Sequence, residues 1–395
     1  MDLQKIKEAQ KHLKQWQIDG WLLYDFHRRN HLAIDFLEVH SDVHLTRRFF
    51  YWIPADGDPV KIVHAIEPHV LQHCPGNTTT YVTWQSLEQR LQEVLQGKQK
   101  IAMEYSPRNM IPYVSLVDAG VVEQVRQFGV DVVSSAGFMQ YFTCVLDEYQ
   151  IRTHKEACRL LDATVSKAWD FIASKIKKNQ PVTEYEVQQL IVSEFHANNF
   201  MSEGNPICAV NVHSSDPHFS PTARVHSPIQ KGDFVLIDLW CKKNEPRAIY
   251  GDICRVGVVS DAPTEKQQKI FQIVFAAQER ATNFVKERFA AKQKVQGYEV
   301  DRVCREYIQS QGYGEYFIHR TGHNIHTQDH GPGTHMDSFE TYDERPIIPG
   351  TCFSIEPGIY LPGEFGVRLE YDVFVTKEGH VEVSGGIQKS VQTLL

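Results

Sequence analysis

The sequence lacks three features that would define its environment. No apolar run is long enough to cross a bilayer, and no apolar stretch of a signal peptide follows the charged N-terminus. Basic residues are not in excess, because 41 Lys and Arg stand against 49 Asp and Glu for a net charge of −8. A general nucleic-acid binder would carry a basic surplus. We therefore expect no nucleic-acid partner and no membrane.

Cysteine pairs with metal or redox spacing are also absent. The eight cysteines are scattered, with no C-x-x-C motif, and internal repeats and low-complexity segments are missing. Without an export signal, such a pattern predicts reduced thiols and a cytoplasmic location.

The length of 395 residues and the hydrophobic content of 42% predict two domains, each with its own core. Residues 1–147 alternate short helical and strand patterns, which predicts a small α/β domain. The polar stretch 147–154 marks a boundary, and a helix with apolar residues from Leu161 to Ile176 follows it. Residues 152–395 then give helix, helix, strands, helix, helix, strands, an order that predicts a duplicated α+β unit.

Two segments near the C-terminus each carry a glutamate inside an apolar strand pattern. Glu356 lies in residues 353–360 and Glu370 in residues 366–372. The period of two puts Arg368 and Glu370 on one face of the second strand. A carboxylate in a buried strand is costly unless something compensates its charge. Two such glutamates therefore suggest a cation between them.

Three further residues have the chemistry to complete a metal site. Asp238 ends a predicted strand, Asp252 lies in a predicted return strand, and His323 follows Thr321-Gly322. Together with the two glutamates they supply four carboxylates and an imidazole, a set suited to Mn, Fe, Co or Zn. Two divalent ions would neutralise four carboxylates, which otherwise repel and take up protons. Taken singly, each of these five residues could instead have an ordinary structural role, in a turn, in a cap or on the solvated surface.

The order Asp, Asp, His, Glu, Glu in these contexts resembles the pita-bread metallopeptidases, which include methionine aminopeptidase, aminopeptidase P, prolidase and the creatinases. Residues 1–145 resemble the N-terminal domain of the aminopeptidase P and prolidase branch. The resemblance implies an α+β fold, with a pita-bread catalytic domain over 152–395 and a smaller creatinase/prolidase-like α/β domain over 1–147. The matching stretches are 216–221, 232–238, 251–255, 321–323, 355–360 and 366–370.

The resemblance also implies roles for the five metal-binding candidates. Asp252 and Glu370 would bridge two divalent ions, Asp238 would chelate one ion, and His323 and Glu356 would hold the other. Mn(II) is the first choice, with Fe, Co or Zn as alternatives. A water or hydroxide shared by the ions would be the nucleophile, and Glu356 would take its proton.

Three catalytic residues besides Glu356 are implied in the same way. His330, seven residues after His323, would bind the scissile carbonyl or its oxyanion. His218 would lie on the substrate side of the site. Arg368 would orient the ligands or meet a substrate carboxylate. The alternatives are core or loop histidines and a surface ion pair.

Some residues depart from the family pattern or have no assigned role. Cys254 stands where many relatives have threonine, and residues 334–345 form an acidic segment that is a candidate lid. The sequence does not define the roles of His326, His335 and Asp372.

We predict an enzyme, a dinuclear metal-dependent exopeptidase that hydrolyses the Xaa-Pro bond, of either the aminopeptidase P or the prolidase (Xaa-Pro dipeptidase) type. Its substrate would be a small peptide with proline at the second position, and the family commonly forms homodimers. An alternative is a family member that acts on a non-peptide small substrate as an amide hydrolase or lyase. A remote alternative is a non-catalytic binding protein with the same fold.

Overall fold

A computed structural model describes all 395 residues, which form two compact units, Met1–Thr143 and Cys144–Leu395. The division lies close to the predicted boundary at residue 147, and the assignment of the first unit to a prolidase-like domain stays a prediction. None of the helices combines the length and the apolar character needed to span a bilayer.

The first unit is built on a six-stranded mixed sheet in the order β4-β3-β2-β1-β5-β6. Strand β2 pairs antiparallel with β1 and β3, whereas β4, β5 and β6 join in parallel. The predicted hairpin across the turn at residues 55–59 is confirmed as β2–β3. The elements are α1 Leu3–Gln15, β1 Gly20–Asp25, α2 His31–Phe36, β2 Phe49–Pro54, β3 Val60–His64, β4 Asn77–Tyr81, α3 Trp84–Leu95, β5 Lys100–Met103, α4 Ala119–Gln127, β6 Asp131–Ser134 and α5 Ala136–Thr143.

The second unit contains four long helices and three sheets, with strand orders β17-β10-β9-β7 (β8 also pairs with β9), β11-β12-β15-β16 and β13-β14. The elements are α6 Glu148–Lys177, α7 Glu184–Ala197, β7 Phe200–Met201, β8 Ile207–Val210, β9 Phe234–Lys243, β10 Gly251–Val258, α8 Glu265–Ala290, α9 Gly297–Ser310, β11 Asn324–Ile325, β12 Cys352–Ile355, β13 Gly358–Leu361, β14 Phe365–Arg368, β15 Tyr371–Val375, β16 Val381–Ser384 and β17 Gln392–Thr393.

Helix α6 begins earlier than the apolar pattern predicts. Asp147 is the N-cap residue, and its Oδ1 accepts the backbone N–H of Gln150. In turn, Gln150 Oε1 accepts the backbone N–H of Asp147. This capping box starts the helix inside the polar stretch that we expected to lie outside it. The corresponding box of Thr183 and Glu186 at α7 is confirmed.

Helix α8 provides much of the core beneath the strands that carry the acidic residues. Its residues Val274, Ala277 and Ala281 are fully buried in one apolar cluster with Phe353 of β12 and Val373 of β15. The cluster fixes the apolar face of these strands. Their other face is thereby free to present polar side chains at a defined position.

Each of the two predicted C-terminal strands is interrupted at its glutamate. The first divides into β12 and β13 at Glu356-Pro357, and the second divides into β14 and β15 at Leu369-Glu370. The ladder of β12 with β15 and that of β13 with β14 keep one common register. Glu356 and Glu370 consequently lie opposite each other in the gap between the ladders.

Candidate metal centre

Two antiparallel strands bring the two aspartates to one face. Asp238 of β9 lies opposite Cys254 of β10, and Asp252 precedes Cys254 by two residues, so both side chains point the same way. Both are buried, with 8% and 4% of their surface exposed. The backbone N–H of Glu370 donates to the carbonyl of Cys254 at 3.3 Å and brings a third carboxylate to this face.

His323 is held by a close backbone contact with β12. Its N–H donates to Ser354 Oγ at 3.0 Å, and its carbonyl accepts from the Ser354 N–H at 2.8 Å. The preceding residue must be glycine here, because a Cβ on Gly322 would lie 2.0 Å from the Ser354 carbonyl oxygen. This contact sets the position of the imidazole.

Glu356 reaches the same point from the strand break. Its N–H donates to the Thr321 carbonyl at 2.7 Å, and its Oε1 accepts from Ser354 Oγ at 3.2 Å. His323 Nε2 lies 3.3 Å from Glu356 Oε1 and 3.7 Å from Asp252 Oδ2. The structure thus brings together all five predicted ligands, Asp238, Asp252, His323, Glu356 and Glu370.

Several oxygen atoms of this cluster have no hydrogen-bond donor although they are buried. They are Oδ1 of Asp238, Oδ1 of Asp252 and Oε1 of Glu370. A buried acceptor without a partner is costly, and a shared cation supplies what the protein does not. The donor atoms of Asp252, His323 and Glu370 lie within 4.8 Å of one another. The residues present therefore fit divalent metal ions.

The pKa values show how strongly these groups interact. Burial raises the pKa of Asp252 far above its usual range, and the neighbouring Glu370 adds to the shift. Burial and then Glu356 do the same to the pKa of Glu370. Burial also raises the pKa of Glu356 to about 7 in the metal-free protein. The pKa of His323 is well below its usual value, chiefly because of burial, so its ring is neutral as a ligand requires.

The Arg368 side chain contacts Asp238, one of the five ligand candidates, and is buried. Its Nη2 pairs with Asp238 Oδ2, its Nη1 donates to Tyr360 Oη at 2.8 Å, and only 4% of its surface is exposed. Of the two roles that we expected, orientation of the ligands agrees with this geometry. A role in meeting a substrate carboxylate has no support from these contacts.

His330 lies at the solvent side of the centre. Its ring centroid is 4.0 Å from that of His323, and its side chain is 55% exposed. Arg320 Nη2 lies 3.0 Å from Nδ1, and because a guanidinium only donates, Nδ1 accepts and Nε2 carries the hydrogen. Burial and then the charge of Arg320 lower the pKa of His330 to about 4. His218 is exposed, and it lies near enough to His330 for its charge to lower the pKa of that ring.

Asp329 is a residue that the sequence analysis missed. It lies beside Asp252, and its donor atoms are within 4.8 Å of those of His323 and His330. Burial, followed by the charges of Asp238 and Glu356, raises its pKa to about 8. Its position directly before His330 was the only signal in the sequence, because no strand or helix pattern points it towards the aspartates.

Asp372 supports the centre from below. Its Oδ2 accepts from the backbone N–H of Asp252 at 2.9 Å and from Cys158 Sγ at 3.6 Å. His154 is near, and its Nδ1 bonds to the Tyr250 carbonyl at 2.7 Å. Cys158 Sγ lies 3.7 Å from Nε2 and 3.9 Å from Nδ1 of His154. Because these distances are nearly equal, the sulfur does not lie along the lone-pair direction of either nitrogen. We interpret this second cluster as packing that fixes Asp252.

The other histidines of these segments make structural contacts with the backbone or with aromatic rings. His335 is buried, and its Nδ1 accepts the N–H of Asn324 at 3.1 Å. The carbonyl of His326 accepts the N–H of Tyr250 at 3.0 Å. His213 stacks on Phe219 with 3.9 Å between the ring centroids. None of these contacts places a side chain among the five ligands.

The acidic segment 334–345 is more firmly packed than a mobile lid. Asp337 is fully buried and accepts the N–H groups of Phe339, Glu340 and Thr341. Arg345, also buried, binds Asp343 and nearby carbonyl groups. Such a network of buried bonds argues against the predicted lid.

A sequence model described as "Metallopeptidase family M24" matches residues 152–377, more than half of the chain and all five ligand candidates. The chain belongs to this family. The predicted family and the prediction of a metallopeptidase are thereby confirmed at the level of the family.

Individual relatives are similar over a larger part of the chain than the family model covers. An uncharacterized peptidase of Staphylococcus saprophyticus is 30% identical over 246 residues, or 61% of this M24 chain and 63% of the relative. The aligned part is thus less than two thirds of that relative. An Xaa-Pro dipeptidase of Pyrococcus horikoshii is 29% identical over 289 residues, or 73% of each chain.

A solved structure shows the fold over almost the whole chain. The dipeptidase PepE of Mycobacterium ulcerans superposes with a TM-score of 0.68 at 21% identity, covering 99% of this M24 chain and 97% of the other. The predicted α+β fold is confirmed.

Proposed function

We propose that this M24 protein is a dinuclear metal-dependent exopeptidase that hydrolyses the Xaa-Pro bond of small peptides. The observation that carries the proposal is the convergence of five ligand side chains around three buried oxygen atoms that lack a donor. The proline preference is supported by the name of the Pyrococcus relative, an Xaa-Pro dipeptidase. Between the dipeptidase and aminopeptidase types, we favour the dipeptidase for this reason.

The five side chains would divide between two sites. Asp252 and Glu370 face each other across the β10–Glu370 contact and would serve both ions, Asp238 would serve one, and His323 with Glu356 the other. When bound, the ions supply Lewis acidity and a water acidic enough to be deprotonated near neutrality. We propose Mn(II), with Fe, Co and Zn as alternatives, because carboxylates with one imidazole accept each of them.

Glu356 would hold the proton that the reaction moves. Its side chain is 14% exposed, which leaves the carboxyl group accessible to solvent. A carboxylate in that position takes a proton from water and delivers it to the leaving nitrogen. The leaving nitrogen of any peptide bond must gain a proton to depart as an amine, and in an Xaa-Pro bond that nitrogen carries no hydrogen beforehand.

His330 would stabilise the carbonyl oxygen as charge develops on it. Arg320 fixes the tautomer in which Nε2 carries the hydrogen. An N–H donor aimed at that oxygen lowers the barrier more than it strengthens ground-state binding. His218, exposed beside His330, would contact the substrate further out.

The alternative of a non-peptide amide hydrolase or lyase uses the same residues. It is favoured by the unusual surroundings of His330, where Asp329 precedes the ring and Arg320 binds it. A non-catalytic role finds no support in the five assembled side chains.

We also propose a cytoplasmic location and a homodimer. All eight cysteines are free and buried, as expected for a chain in a reducing cytoplasm. A homodimer is proposed from the family resemblance alone.

A peptidase assay separates these possibilities. Protein reconstituted with Mn(II) should release proline from Xaa-Pro dipeptides, and Xaa-Ala dipeptides of the same first residue serve as controls. Activity on dipeptides but not on Xaa-Pro tripeptides would identify a dipeptidase, whereas activity on both would identify the aminopeptidase type. If metal is bound and no Xaa-Pro peptide is cleaved, the proline proposal is wrong and the non-peptide alternative gains.

A further inference from the structure

The loop between β11 and β12 is fixed over the metal centre at several points. The Tyr250 N–H donates to the His326 carbonyl at 3.0 Å, and Lys242 Nζ donates to the Thr327 carbonyl at 2.5 Å. At the far side, the Gly331 N–H donates to the Asn324 carbonyl at 2.7 Å. These bonds come from β9, from the residue directly before β10, and from β11, which flank the centre. Asp329 is therefore held in place by its neighbours along the chain.

The Asp329 side chain points inward from this loop. Its side chain is 18% exposed, whereas that of the adjacent His330 is 55% exposed. Its Oδ1 is buried without a hydrogen-bond donor, and Oδ1 of the neighbouring Asp252 is in the same condition. Two carboxyl groups this close share either a proton or a cation, because two bare negative charges would repel.

The only protein partner of this carboxylate is Asp252, with which it can share a proton. His330 Nε2 is 3.7 Å from Asp329 Oδ2, which is longer than a hydrogen bond. Two groups of donor atoms, each within 4.8 Å, overlap at His323: Asp252-His323-Glu370 and His323-Asp329-His330. A cation at His323 would consequently have Asp329 within reach.

We propose that Asp329 is a sixth protein ligand of the metal centre, directed to the divalent ion at His323. The inference rests on the proposed dinuclear site and adds a carboxylate that the five-residue pattern does not contain. Its consequence is a more negative site, which would hold that ion more tightly and favour hard divalent cations.

The test is the affinity for Mn(II) without any peptide, measured on the full chain by competition with a fluorescent chelator. We expect Asp329→Asn to weaken one of the two sites at least about tenfold, and Asp329→Glu to recover part of the loss. The matched control is Glu203→Gln. Glu203 is exposed, and its negative charge contributes to the raised pKa of Asp329, so this variant removes one nearby charge without removing a proposed ligand. It should change the affinity less than about twofold, since long-range charge is screened by solvent.

The outcomes are decisive in both directions. Unchanged affinity in Asp329→Asn, or an equal loss in Glu203→Gln, overturns the assignment. An Asp329→Asn protein that binds Mn(II) normally but shows a raised KM also overturns it, because the residue would then serve the substrate. Should Asp329→Asn not fold, the Mn(II) electron paramagnetic resonance spectrum of Asp329→Glu decides: a changed spectrum supports coordination, and an identical one contradicts it. Wild-type protein that binds fewer than two ions would instead refute the proposed dinuclear site.

Discussion

At the scale of single residues, Glu356 would have two tasks in the proposed mechanism, as a metal ligand and as the group that moves the proton. Its Oε1 lies 3.3 Å from His323 Nε2, close enough for both atoms to hold one ion. The Ser354 hydroxyl holds its Oε1 at 3.2 Å, so the carboxyl group has a fixed orientation.

Replacement of Glu356 by Gln should abolish most turnover. We expect kcat to fall by at least about a hundredfold, because an amide cannot take up and deliver the proton. Metal content, measured on the same preparation, shows whether the loss is chemical or follows from a lost ion. Full activity with both ions bound would show that another group moves the proton.

Arg368 should act through Asp238. The Arg368→Lys variant keeps the charge but loses the planar guanidinium that reaches both Asp238 and Tyr360. We expect weaker metal binding with little change in KM for dipeptides, and a smaller effect from Tyr360→Phe, which leaves the contact with Asp238. A raised KM with normal metal affinity would indicate that Arg368 binds the substrate instead.

At the scale of elements, the two strands that carry the glutamates are interrupted at those residues, whereas the strands that carry the aspartates are continuous. Glu356 and Glu370 occupy the gap between two ladders of common register, and β9 with β10 supplies the aspartates. A continuous strand would leave the glutamates bound into the ladder. The break frees them to converge on the face of β10.

The close contact at Gly322 gives a prediction for this scale. A Gly322→Ala substitution places a Cβ 2.0 Å from the Ser354 carbonyl oxygen and must push β12 away from His323. We expect a loss of stability of about 1–3 kcal/mol in thermal or urea unfolding, together with weaker metal binding. The control is Gly120→Ala in α4, where nothing lies within 4 Å of the new Cβ. Equal stability of the two variants would contradict the assigned contact.

The sequence predicts what depends on local pattern and misses what depends on tertiary placement. The capping box of Thr183 and Glu186 is confirmed because all its atoms lie within one turn. The start of α6 was misplaced because Asp147 and Gln150 look like a polar linker until they bond to each other. Asp329 was missed because its importance arises only where its loop meets β10.

At the scale of the whole molecule, the metal-free centre makes stability depend on pH. Folding raises the pKa of Asp252 and Glu370 far above the usual range and that of Glu356 from 4.5 to about 7. The folded state therefore binds these protons more tightly than the unfolded chain does. Their contribution to stability is greatest at low pH, and the part that comes from Glu356 is lost as the pH rises from 4.5 through about 7.

Metal ions should reverse this trend, because they bind the deprotonated carboxylates. We expect the rise in Tm caused by Mn(II) to be larger at pH 7.5 than at pH 5.5 in scanning calorimetry of protein with and without chelator. A rise that does not vary with pH would mean that the ions bind elsewhere.

The central claim is that these side chains form one centre for two ions. Elemental analysis after equilibrium dialysis against Mn(II) tests it most directly, with Asp252→Asn beside the wild type. We predict two ions per wild-type chain and fewer than one in the variant, since Asp252 would serve both ions. One ion or none in the wild type, or two in the variant, would contradict the account.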